Sequence, residues 1–180
     1  TLTNEKLMSS PVRQMPYQAL GDLWLDLDGL GATSGCRRDL DLDTATTTTR
    51  FKAGDVTYVR EAFISPVDQV LVLRLTADRP GAITGLISAA SEQDNRVAIE
   101  NGELLLRGRN GTRFGIEGRL RFTLRSRVQA AGGRVDDIGG RVRLENVDEL
   151  VLIAAAATNT SIARNGWTRS IRAAFRGGVS

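Results

Sequence analysis

The chain has 180 residues, a mass of 19.5 kDa, 41% hydrophobic and 25% charged residues and a mean hydropathy of -0.17; one core-forming domain fits that length and a second full catalytic domain does not. Histidine is absent and Cys36 is the only cysteine, which excludes a Ser-His-Asp triad, a Cys-His pair, an imidazole-ligated zinc and an intrachain disulfide. The net charge of +3, from 24 Lys+Arg against 21 Asp+Glu, is too weak a bias to mark a nucleic-acid partner.

Thr1 is not an initiator methionine, and the residues up to Met8 lack the basic and apolar regions of a secretory signal. The chain therefore reads as the interior of a longer protein, and its compartment stays unknown. Thr3 to Met8 suit the end of a helix that Pro11 and Pro16 would stop. Beyond them the apolar pattern has period 2 with frequent turn residues, which predicts an all-β, antiparallel domain over 1–158. Thr46 to Thr49 form a β-branched run suited to a strand. Gly54-Asp55 then reads as a turn. Val56 to Ile64 and Gln69 to Leu75 are strands separated by Ser65-Pro66, because proline cannot donate a ladder hydrogen bond.

Asn101-Gly102, between Val97–Glu100 and Glu103–Leu106, is the strongest hairpin signal, since both central positions of a type I′ turn need positive φ. Leu120, Phe122, Leu124 and Val128 alternate with Arg119, Arg121, Arg125 and Arg127, which puts apolar groups on one face and guanidiniums on the other. Gly132-Gly133 ends that strand. Arg141 to Leu144 is another strand, and Leu150 to Ala157, apolar on both faces, belongs at the centre of a covered sheet. That run is far short of the ~20 residues of a membrane span, and no membrane partner is expected. Residues 159–180 read as a tail or linker, with a short helix over Arg164 to Arg176.

The candidate chemistry is sparse. Asp26 with Asp28, and Asp39 with Asp41 and Asp43, have the i, i+2 spacing that shares one strand face. They suit a solvated face, or an acid–base pair if they look across a pocket. A calcium loop beginning at Asp39 would have Arg50 where a bidentate glutamate is required, and neither a metal nor a cofactor is expected. The arginines from Arg107 to Arg127 suit an ion-paired sheet face or a docking surface; with aromatics at 5% they lack the stacking platforms of a nucleic-acid site. Asn101-Gly102 and Gly111 have no strand–glycine–helix context, so no phosphate loop is predicted. Cys36 is a spectator thiol unless Arg37 and Arg38 activate it. Trp24 and Tyr17 flank the Gly21-Asp22 turn, where they suit sugar stacking or packing at a domain interface.

Met15-Pro16-Tyr17-Gln18-Ala19-Leu20-Gly21-Asp22-Leu23 resembles the Tyr-Gln-Pro-Leu-Gly-Asp-Leu signature in the N-terminal domain of glycoside hydrolase family 95, the α-L-fucosidases. Further segments resemble that family in the same order. They are Arg37 to Leu42, Val56 to Phe63, Ser65 to Val70 with Arg74-Leu75, Leu104 to Gly108, and Gly115 to Gly118 followed by Leu120 and Phe122. The resemblance spans roughly Glu5 to Thr158 and implies a β-supersandwich that precedes a helical linker and an (α/α)₆ catalytic barrel. It also implies that the sandwich lacks its first strands, leaving its N-terminal edge unpaired. The parent enzyme would release terminal α-L-fucose with inversion from fucosylated oligosaccharides, using carboxylates of the barrel. This chain would be catalytically silent, with Tyr17, Gln18, Arg37 and Arg38 as candidates for the active-site entrance or the domain interface. The alternative is a self-sufficient carbohydrate-binding module resting on Trp24 and Tyr17.

Overall fold

The computed structural model describes residues 17–159; the two expected helices, at 3–8 and 164–176, lie outside them. In chain order the strands are β1 (Asp22–Leu27), β2 (Thr33–Asp41), β3 (Thr46–Ala53), β4 (Val56–Ser65), β5 (Val70–Ala77), β6 (Ile83–Ala90), β7 (Asp94–Glu100), β8 (Glu103–Arg109), β9 (Arg121–Ala131), β10 (Arg134–Asp137), β11 (Val142–Val147) and β12 (Glu149–Thr158). They form two antiparallel sheets, a four-stranded one in the order β1-β6-β11-β10 and an eight-stranded one in the order β2-β3-β4-β5-β12-β9-β8-β7. The architecture is the expected all-β sandwich. β12 lies between β5 and β9, as a strand apolar on both faces requires. Asn101 and Gly102 hold φ of 53° and 74°, the conformation of a type I′ turn.

Alternation builds the core. Leu23, Leu25 and Leu27 of β1, Ile83 and Ile87 of β6, and Val142, Leu144 and Val147 of β11 face Val56, Tyr58, Leu75, Leu104 and Leu150 of the large sheet. Tyr58 stacks on Phe51 with ring centroids 5.2 Å apart, and its hydroxyl donates to the Ala82 carbonyl at 3.0 Å. One side chain thus ties β4 to the approach of β6 and keeps its buried hydroxyl satisfied.

Ser126 of β9 is a flaw in this packing. It is 1% exposed and cross-strand from Leu104 and Ala154, and its hydroxyl has no hydrogen-bond partner. A buried hydroxyl without a partner carries its full desolvation cost. Ser126→Ala is therefore expected to raise the unfolding free energy by about 1 kcal/mol, as read from urea unfolding; a loss of stability would mean the hydroxyl is bonded.

On its outer face the large sheet is polar and ion-paired. Glu103, 6% exposed, accepts from Arg127 at 2.7 Å and pairs with Arg125 at 3.1 Å. Arg74 donates to both carboxylate oxygens of Glu149, at 2.7 and 3.0 Å. Of the arginine cluster, Arg107, Arg109, Arg125 and Arg127 are thus ion-paired.

The two ends of the sandwich differ. Where β1 begins, five connections meet: 42–45, 66–69, 91–93, 110–120 and 138–141. The described chain also arrives and leaves there, at Tyr17 and Asn159. The opposite end carries the connections 28–32, 54–55, 78–82, 101–102, 132–133 and 148.

Candidate functional site

Leu20 approaches β1 pinned by Ser91, whose hydroxyl donates to the Leu20 carbonyl at 2.7 Å. Just before it, Tyr17 is fully exposed and Gln18 half-buried. Because Leu23, Leu25 and Leu27 turn inward, Asp22, Trp24 and Asp26 share the outer face of the small sheet, and Trp24 is 53% exposed. Tyr17 and Trp24 are therefore near one another in the chain and both reachable from solvent.

Arg37 and Arg38 lie elsewhere, on the edge strand β2 of the large sheet, opposite Arg50 and Thr49. Their side chains point to opposite faces by strand alternation. Arg37 grips its neighbour Asp39 with three hydrogen bonds of 2.9–3.0 Å. That hydrogen bonding raises the guanidinium's pKa and lowers that of the carboxyl. The four entrance candidates thus fall into two separate pairs. Cys36 is exposed.

Among the described residues, two surface grooves bear on the site. One, of about 420 Å³, crosses β7, β8 and β9 and is lined by Arg96, Arg107, Arg109 and Arg121 together with Asp94. The other, of about 400 Å³, opens between the start of β1 and the large sheet, lined by Leu20, Leu23, Ile64, Leu71, Leu124 and Ala154. Neither presents two facing carboxylates.

An inverting glycosidase needs an acid and a base ~6.5–9.5 Å apart, the acid with a raised pKa. The carboxyls whose pKa departs from the ordinary value are all lowered. Backbone amides of Asp43 and Thr44 hold Asp41 down, and that of Thr57 holds Asp78 down. Arg107 and Arg74 do the same to Glu100 and Glu149. These are stabilised anions, unsuited to donating a proton at neutral pH. Among the described residues, no group of three or more Cys, Asp or Glu is arranged to hold a metal ion.

Residues 1–162 match the family model described as "Glycosyl hydrolase family 65, N-terminal domain". The chain belongs to that family. This glycosyl hydrolase N-terminal domain is 29% identical to Alpha-L-fucosidase 2 of Arabidopsis thaliana, over 87% of this chain and 21% of that protein. It is 31% identical to Probable alpha-fucosidase A of Aspergillus niger, over 79% of this chain and 18% of that protein. The chain thus spans about a fifth of the length of the curated relatives it matches. The motif resemblance to family 95 and the family 65 model agree on an N-terminal domain of a glycosyl hydrolase.

Sequence reading did not find the two grooves, because each is assembled from strands distant in the chain. The arginine-lined groove had one legible trace, the alternating arginines of β9. The apolar groove had none: Leu20, Ile64 and Ala154 come from three different segments.

Proposed function

We propose that this chain is the non-catalytic β-sandwich domain of a family 95-type α-L-fucosidase. In this reading it supports the active site of a longer polypeptide and partly shapes its entrance. The observation that carries the reading is a pair of fucosidase-named relatives about five times longer than the matched segment, combined with a sandwich whose grooves hold no facing carboxylates. The bond-breaking groups then belong to the rest of the polypeptide, an (α/α)₆ barrel, which takes terminal fucose from oligosaccharides with inversion. Tyr17 and Gln18 on one side, and Arg37 and Arg38 on the other, are the residues proposed to meet the barrel or the approaching sugar.

The longer polypeptide carrying this domain is expected to release fucose from a 2′-fucosylated oligosaccharide as the inverted anomer, followed by NMR. Substituting Tyr17, Gln18, Arg37 or Arg38 by alanine should raise KM or lower melting without abolishing kcat. Unchanged kinetics and melting in all four single variants would remove those residues from the entrance.

A second reading rests on Trp24, whose exposed indole lies beside Asp22 and Asp26 on an open sheet face, as a sugar-stacking platform would. It predicts a saturable change in tryptophan fluorescence on titration with fucosylated oligosaccharides, lost in Trp24→Ala. No saturable response favours the scaffold.

A further inference from the structure

The distribution of exposed apolar side chains over the surface is lopsided. Tyr17, Leu42, Ile64, Val67, Ile116 and Ile138 all sit at the end of the sandwich where β1 begins. Leu42 is 83% exposed, Val67 88% and Ile64 67%. None of the exposed large hydrophobic side chains lies in a connection of the opposite end, among the described residues. That end closes with short turns rich in glycine, aspartate and asparagine, such as Gly54-Asp55 and Asn101-Gly102. Scattered exposed leucines are ordinary on a protein surface; a set gathered at one end and rimmed by polar groups marks an interaction site.

Two further observations concern the same end. The apolar groove of about 400 Å³ opens there, between Leu20, Leu23, Ile64, Leu71, Leu124 and Ala154. Phe114, in the 110–120 connection, holds φ of 54°, a conformation that costs a bulky side chain about 1 kcal/mol or more and that persists where surroundings demand it. Beside it, Arg113, Arg119 and Arg121 form no ion pair with a carboxylate of the described residues. The same connections also carry Asp43, Asp68, Glu92 and Glu117, so the rim is polar and of mixed charge.

We infer that this end is the docking surface for the remainder of the longer polypeptide, which covers it with an apolar surface bordered by polar groups of both charges. The inference rests on reading the chain as one domain of a longer hydrolase. Continuity selects that occupant over others. The described chain reaches Tyr17 and leaves Asn159 at this same end, so polypeptide joined on either side departs from the end that carries the patch. The relatives carry about four-fifths of their length outside the matched segment. The large sheet's outer face is a poorer candidate, because its arginines are already engaged by Glu100, Glu103 and Glu149.

Hydrogen exchange read by mass spectrometry tests this, comparing the 180-residue chain with the longer polypeptide that contains it. Amides of 65–69, 113–118 and 138–141 are expected to exchange at least tenfold more slowly in the longer polypeptide, while those of 54–55 and 101–102 are unchanged. Ile64→Lys combined with Val67→Lys should erase the protection at 65–69, whereas Ala32→Lys at the opposite end should not. Equal exchange in the two proteins, or new protection confined to the opposite end or to β7–β9, overturns the inference. So does protection that grows with protein concentration, which would assign the patch to a second copy, or that already exists in the 180-residue chain and is lost when residues 1–16 are removed. So would a gene encoding no polypeptide beyond this domain. Protection at this end in a polypeptide that releases no fucose would leave the docking surface standing and remove only the fucosidase reading.

Discussion

Leu144→Ala is expected to lower the unfolding free energy by about 3 kcal/mol, because it removes a side chain with no solvent exposure from the middle of the core. Leu144 comes from β11, cross-strand from Gly85 of β6 and Val135 of β10. Hydrogen-bonded ladders on both sides, the one to β6 shifting register only beyond Leu144, leave the walls little room to collapse into the space. Against a total of roughly 5–15 kcal/mol for a domain, such a loss should depress melting by about 10 °C at this chain length. Leu42→Ala, made at a site 83% exposed, should change stability by less than about 0.5 kcal/mol in the same urea titration. Equal effects at the two sites would mean that the small sheet does not pack as described.

Gly133→Ala is expected to cost about as much by a different route. Gly133 holds φ of 61° in the tight connection between β9 and β10, and a Cβ there would strike the carbonyl oxygens of Glu145 and Asn146. Those are backbone atoms at the end of β11, so neither can swing aside as a flexible side chain would. Gly102 provides the comparison, because it has a similar φ of 74° with open space around its Cβ position. Gly102→Ala should pay only the left-handed penalty of roughly 1–2 kcal/mol. Gly133→Ala should exceed it by about 2 kcal/mol, within the range for strained close approaches. Matching losses in chemical unfolding would show that the Gly133 turn does not pack against the end of β11 as described.

Strands with strong alternation and the turns between them could be read from sequence because those signals are local. The β7–β8 hairpin announced itself through Asn101-Gly102, and β12 declared its central place through a run apolar on both faces. β6 was not visible: its inward positions, Ile83, Gly85, Ile87 and Ala89, interleave two isoleucines with residues too small to complete a period-2 signal. Gly85 is small for a reason that only the fold reveals, since its Cβ would meet the Asp26 carbonyl of β1. β10, with only Arg134–Asp137, is too short for a periodic signal. The division into four and eight strands depends on pairings such as Arg74 with Glu149, 75 residues apart, which no local pattern encodes. For the same reason the residues singled out around the Gly21-Asp22 turn and on β2 could be named one by one but not placed together. The gathering of apolar groups at one end depends on which connections share that end of the sandwich, and strand pairing between distant segments decides this.

Turnover by the 180-residue chain itself is the most direct test of its role. Incubated at high concentration with a 2′-fucosylated oligosaccharide, it is predicted to release no fucose above the uncatalysed background. Saturable release that survives repurification and follows the chain through gel filtration would contradict the account, because the acid and base would then have to reside among its own carboxylates.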